Sequence, residues 1–61
     1  MDIYDVVKAK VDFNDIKSGT LGTIVHIYKD GRTFEVEFVC NDKVLVETVL
    51  YNKVEKNDKT I

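Results

Sequence analysis

The chain holds one histidine, one cysteine and one serine, namely His26, Cys40 and Ser18, so any nucleophilic chemistry must use these few groups. A Cys–His couple needs both side chains within hydrogen-bond reach. The alternating pattern from Thr23 to Cys40 sets them on opposite faces of a sheet, which excludes the couple and makes Cys40 a small buried hydrophobe. Ser18 has no neighbouring base and reads as a turn residue before Gly19. Glu35, Glu37 and Glu47 could act as a carboxylate pair, but an exposed convex sheet gives no pocket to raise a pKa. Asp12-Phe13-Asn14-Asp15 begins like a calcium loop and then breaks at Ile16, where the next alternating oxygen ligand is needed. Gly19-x-x-Gly22 opens a strand rather than a helix, so it lacks the N–H cluster that cradles phosphate; its glycines serve positive φ or close backbone approach. The sequence therefore predicts a protein that is not an enzyme, with no catalytic residue, no cofactor and no metal site.

Non-covalent recognition is better served. Lys8, Lys10 and Lys17 form a candidate basic edge, and Tyr28, with Tyr4 and Tyr51, could stack on bases. Glu35 and Glu37 beside Tyr28 repel phosphate. Acidic residues outnumber Lys plus Arg by 11 to 9, a net charge of −2, the wrong sign for bulk attraction to nucleic acid or anionic lipid. The longest apolar run is three residues, which excludes a transmembrane helix. One unpaired cysteine, and Asp2 and Asp5 where a signal peptide would be apolar, predict a reduced cytoplasmic protein.

The elements that position these residues follow from composition and alternation. Val, Ile and Thr number 20 while Ala and Leu number four, a balance that favours strands. Asp30-Gly31 suits a two-residue hairpin turn, with Lys29 facing Arg32, Ile27 facing Phe34, Val25 facing Val36 and Thr23 facing Phe38 on an apolar face. Tyr28, His26 and Ile24 then face Thr33, Glu35 and Glu37 on the other. A second turn near Asn41-Asp42-Lys43 leads to Lys43–Leu50. A three-residue loop there pairs Val36 with Thr48 and avoids burying Glu47 opposite Val36. It leaves Ile24, Val39, Leu45 and Val49 as an outward apolar cluster, with Glu37 opposite Glu47.

Before the hairpin, Asp5 to Asp12 reads as a first strand with Val7, Ala9 and Val11 inward. Phe13 to Gly19 is a loop with Phe13 and Ile16 tucked over one end of the core. Tyr51 to Val54 is a short turn and last strand. The expectation is an all-β domain over 1–54, a small five-stranded barrel with a central meander, because closure hides edges; 55–61 is a fraying tail.

Lys17-Ser18-Gly19-Thr20-Leu21-Gly22-Thr23-Ile24-Val25 resembles the G-x-x-G-x-I/V-V turn and strand of SH3-like barrels, including KOW modules. The longer pattern, Gly19-x-x-Gly22-Thr23-Ile24-Val25-x-x-Tyr28, then Phe34-Glu35-Val36-Glu37-Phe38, then the strand through Val49-Leu50, is similar to a bacterial domain-of-unknown-function family, number four-nine-two-six. That resemblance covers Asp5 to about Val54. Members usually carry a Gly in the turn that is Asn41-Asp42-Lys43 here and a Pro where Tyr51 stands. Members are often encoded beside toxin-like proteins, so the resemblance implies an antitoxin or immunity role.

Together these observations predict a non-enzymatic protein-binding module, with Ile24, Val39, Leu45 and Val49 as an apolar centre and His26, Tyr28, Glu35, Glu37 and Glu47 as an acidic rim. Such a rim suits a basic partner such as a toxin. The alternatives are a KOW-like module touching RNA or the ribosome through Lys8, Lys10 and Lys17, and a structural homodimer closed by the apolar face.

Overall fold

The computed structural model describes residues 1–57. It is all-β: strands β1 (Val6–Ala9), β2 (Leu21–Ile27), β3 (Thr33–Cys40), β4 (Lys43–Leu50) and β5 (Val54–Lys56), with one 3₁₀ turn at Tyr51–Lys53. The strands form one antiparallel sheet in the order β4-β3-β2-β1-β5. The meander expected at the centre is β2-β3-β4. No ladder joins the edge strands β4 and β5 among the described residues. Even so, all five strands feed one core of Val7, Ala9, Ile24, Phe34, Val36, Phe38, Val49 and Val54, closed by Ile16 from the β1–β2 loop. Among the described residues no second layer covers them, so both edges bury side chains in one cluster only because the sheet curls over itself.

The β2–β3 register agrees with the expected one near the turn and departs from it further along. Ile27 pairs with Phe34 and His26 with Glu35, as alternation predicts. Between Ile24 and His26 the register shifts, leaving Val25 as the extra residue of a β-bulge. The bulge inverts parity below it. Ile24 pairs with Val36 and Gly22 with Phe38, so Ile24 is buried with no exposed surface and the expected Val25:Val36 and Thr23:Phe38 pairs do not form.

Both turns depart from the conformations expected of them. Asp30-Gly31 sits in a four-residue loop where Gly31 N–H donates to the Tyr28 carbonyl at 2.9 Å and Tyr28 N–H to the Thr33 carbonyl at 2.9 Å, so Lys29 does not face Arg32. The Asp30 carboxylate organises that loop by accepting from Arg32 N–H at 2.8 Å, Thr33 N–H at 2.9 Å and Thr33 Oγ1 at 2.8 Å. The two-residue turn is instead Asn41-Asp42, both at positive φ (47° and 66°), with Cys40 opposite Lys43. Asn and Asp tolerate that left-handed region, and two such residues make a type I′ turn whose twist suits a hairpin. The three-residue loop is thereby corrected: Val36 pairs with Glu47, Glu37 with Val46 and Phe34 with Val49. The cost feared for Glu47 does not arise, because on the edge strand it is only half-buried and Asn14 Nδ2 donates to its Oε1 at 2.9 Å.

The β1–β2 loop behaves as expected. Phe13 and Ile16 exchange backbone hydrogen bonds (2.9 and 2.8 Å), Ile16 is wholly buried, and the Phe13 ring meets Phe38 edge-on at 5.8 Å. β1 itself is shorter than predicted. It ends at Ala9, so Val11 lies beyond the ladder and is exposed. At the other end β5 runs past Val54, with Glu55 opposite Lys8 and Lys56 opposite Val7; the stretch 58–61 of the expected tail lies outside the described residues.

Candidate functional site

The outer face of the sheet can be built row by row from the ladders. Along one row Val46 pairs with Glu37, Glu37 with Thr23 and Thr23 with Val6. In the next row Val44 pairs with Val39, and Leu21 with Lys8, which carries on to Glu55 with an Nζ–Oε2 contact of 3.5 Å. Val6, Leu21, Gly22, Thr23, Glu37 and Val39 line a shallow groove of about 320 Å³. Val39 is the most exposed of the apolar residues there, at 62%. Val44 and Val46 extend the apolar surface to the β4 edge. Glu37 stands exposed in this apolar ground, and neither of the ion pairs among the described residues, Lys8–Glu55 and Lys56–Asp5, involves it.

A polar cluster flanks the groove. Glu35 Oε1 accepts from Tyr28 Oη at 3.1 Å and from Thr48 Oγ1, which reaches across from β4. The hydrogen bond to Glu35, reinforced by partial desolvation and the carboxylate's charge, holds the Tyr28 phenol above its ordinary pKa. His26 is Glu35's Cα partner, yet its ring packs edge-on against Tyr28 at 4.7 Å, and the carboxylate is bonded to Tyr28 and Thr48. His26, Tyr28 and Glu35 are thus brought together, as the register predicts, with Tyr28 as the link.

The expected apolar centre is corrected in three of its four members. Ile24 is wholly buried by the bulge, Val49 is buried opposite Phe34, and Leu45 is half-buried against the core; Val39 alone remains outward. Glu47 lies on the core side of β4 and so leaves the rim, while Glu37 moves from rim to groove. Sequence reasoning missed Val6, Leu21, Val44 and Val46. Reading Asn41-Asp42 as the type I′ turn would have turned Val44 and Val46 outward.

The remaining chemistry-bearing residues serve local structure. Ser18 donates its N–H to Asp12 Oδ1 at 2.7 Å and its hydroxyl to the Lys10 carbonyl at 3.2 Å, tying the loop base. Cys40, expected buried, is half-buried at the end of the core side of β3. Among the described residues no three His, Cys, Asp or Glu side chains are grouped to hold a metal ion. Nor is any helix there long and apolar enough to cross a membrane. Of the basic edge, Lys8 is engaged with Glu55 while Lys10 and Lys17 are exposed on the loop.

The fold and this face define a small all-β domain with an apolar outer sheet surface and, within it, a carboxylate that takes part in no ion pair among the described residues. The chain belongs to the family described as a domain of unknown function, DUF4926, whose profile matches residues 3–49, from ahead of β1 to the penultimate residue of β4. No curated protein and no solved structure matches it.

Proposed function

We propose that this domain is a non-enzymatic protein-binding module of the bacterial cytoplasm that inhibits a neighbouring toxin in the manner of an antitoxin or immunity protein. The observation that carries the binding reading is the outer face: Val6, Leu21, Val39, Val44 and Val46 are each exposed by more than two-fifths on adjoining strands. A monomer rarely leaves such a patch uncovered. Glu37 within the patch and Glu35 at its flank set the partner's chemistry: apolar side chains around a Lys or Arg that reaches Glu37, because a buried carboxylate without a cation costs binding energy. The inhibitor reading rests on the family resemblance together with this acidic character, which suits a basic enzyme such as a nuclease. Cys40, a thiol with no disulfide partner in the chain, agrees with a reducing compartment.

Affinity capture from the cells that make the protein tests this reading, with the captured material treated with ribonuclease and deoxyribonuclease before elution. A protein that stays bound after nuclease, and whose toxicity is relieved by co-expression of this chain, is the expected result. Material released by nuclease would point to the KOW-like alternative.

A further inference from the structure

The two edges of the sheet are built differently. β5 is three residues long and carries Glu55 and Lys56, and short charged edges resist pairing. β4 is eight residues long, and the ladder fixes which of its backbone groups are free. Tyr51 N–H donates to the Arg32 carbonyl at 2.7 Å. In the same antiparallel frame Val49, Glu47, Leu45 and Lys43 bond to β3, so Val44, Val46, Thr48 and Leu50 point their N–H and C=O groups away from the sheet. None of those groups has a turn or loop partner among the described residues. Val44, Val46 and Leu50 are each more than half exposed, and such an edge is a template for another strand.

We infer that β4 pairs with the β4 of a second copy of this chain, antiparallel about a two-fold axis at Leu45. Charge selects both the occupant and the register. Outward backbone groups meet outward groups only when the strands shift in steps of two residues. One permitted register sets Glu47 against Glu47 of the second copy, and the next sets it against Leu45. The one after that sets it against Lys43 and, by symmetry, repeats the ion pair. In that register Val44 pairs with Val46 of the second copy and exchanges two backbone hydrogen bonds, and the mirror pair does the same. Lys43 is exposed, and Asn14 occupies only Oε1 of Glu47, leaving Oε2 for the second donor. Pairing centred on the outer groove would instead press two Glu37 carboxylates together. The edge dimer leaves that groove open, so it stands independently of the proposed partner.

Sedimentation equilibrium of the whole chain, from about micromolar to about millimolar, should show a monomer–dimer equilibrium. K43E and E47K each create like-charge pairs and should each weaken dimerisation at least ~tenfold, whereas the two variants mixed should form a heterodimer, since every facing pair is then opposite in sign. V46P removes an outward N–H without touching the β3 ladder and should give a folded monomer by circular dichroism. If E47K fails to fold, K43E and V46P decide the matter. A wild-type chain monomeric throughout, a dimer that K43E or V46P leaves intact, or well-folded K43E and E47K that do not associate on mixing would each overturn the inference.

Discussion

Gly22 and Phe38 face each other across the β2–β3 ladder, and a Cβ on Gly22 would stand 2.7 Å from Phe38 Cδ1 and 2.7 Å from Val36 Cγ1. The glycine is there for space. G22A should therefore cost about 1–3 kcal/mol through overpacking, read by urea titration. Gly19 and Gly31 need their positive φ (92° and 69°) and have open surroundings, so G19A and G31A should cost about 1–2 kcal/mol by backbone strain alone. Adding Phe38→Leu should recover part of the G22A loss and none of the G19A loss. Equal behaviour of the two glycines would contradict the close approach.

The bulge at Val25 makes a prediction that simple alternation reverses. I24A should cost about 2–5 kcal/mol, because Ile24 is wholly buried against Val36, whereas V25A should cost about 1 kcal/mol or less at its half-buried site. Chemical denaturation of the two variants checks it. The opposite ranking would mean that β2 pairs without a bulge.

Asp30 ties stability to acid pH. The Arg32 N–H, then the Thr33 hydroxyl and N–H, stabilise its carboxylate and hold its pKa below the ordinary 3.8. A lowered folded pKa contributes stability that is full above the unfolded value and is lost as pH falls through the folded one. The stability gap between wild type and D30A should accordingly be constant above about pH 5 and shrink below pH 3.8. A gap that persists unchanged to lower pH would contradict the carboxylate's role in the loop.

Tyr28 gives the converse at alkaline pH. Its phenol donates to Glu35 and ionises above the ordinary 10.0, so its contribution is full below that value and lost as pH rises through the folded pKa. The difference between ultraviolet titrations of wild type and Y28F should show the Tyr28 phenol ionising above 10.0. E35Q should bring it back towards 10.0.

The parts of the fold legible in the sequence are those where one local signal decides. Strand composition gave the all-β class, Ile27 opposite Phe34 followed from parity, and the apolar pair Phe13 and Ile16 marked a loop that returns to the core. The bulge was invisible because Ile24 and Val25 are both apolar and β-branched: either could fill the core, and β1 pairing to the first half of β2 accompanies the inverted register. The second turn was misread by weighing Glu47 as if β4 were central, when an edge strand leaves the carboxylate half-exposed and Asn14, 33 residues away, supplies its donor. These two departures together account for the site. They bury Ile24 and Val49 and raise Leu21, Val44 and Val46 onto the outer face, where Val6 already stands because Val7 and Ala9 turn inward.

The claim that this face binds a protein is tested most directly by comparing three baits in one affinity experiment: wild type, V39E, and the triple variant K8Q/K10Q/K17Q. Val39 is the most exposed apolar residue of the groove, so a second carboxylate there should lower capture of the partner by at least ~100-fold while circular dichroism and the thermal midpoint stay unchanged. The lysine variant should capture as wild type does. If V39E keeps the partner and the lysine variant loses it, with a salt dependence flattened by about one log–log unit per lost phosphate contact, the outer face is not the binding surface and the basic edge is.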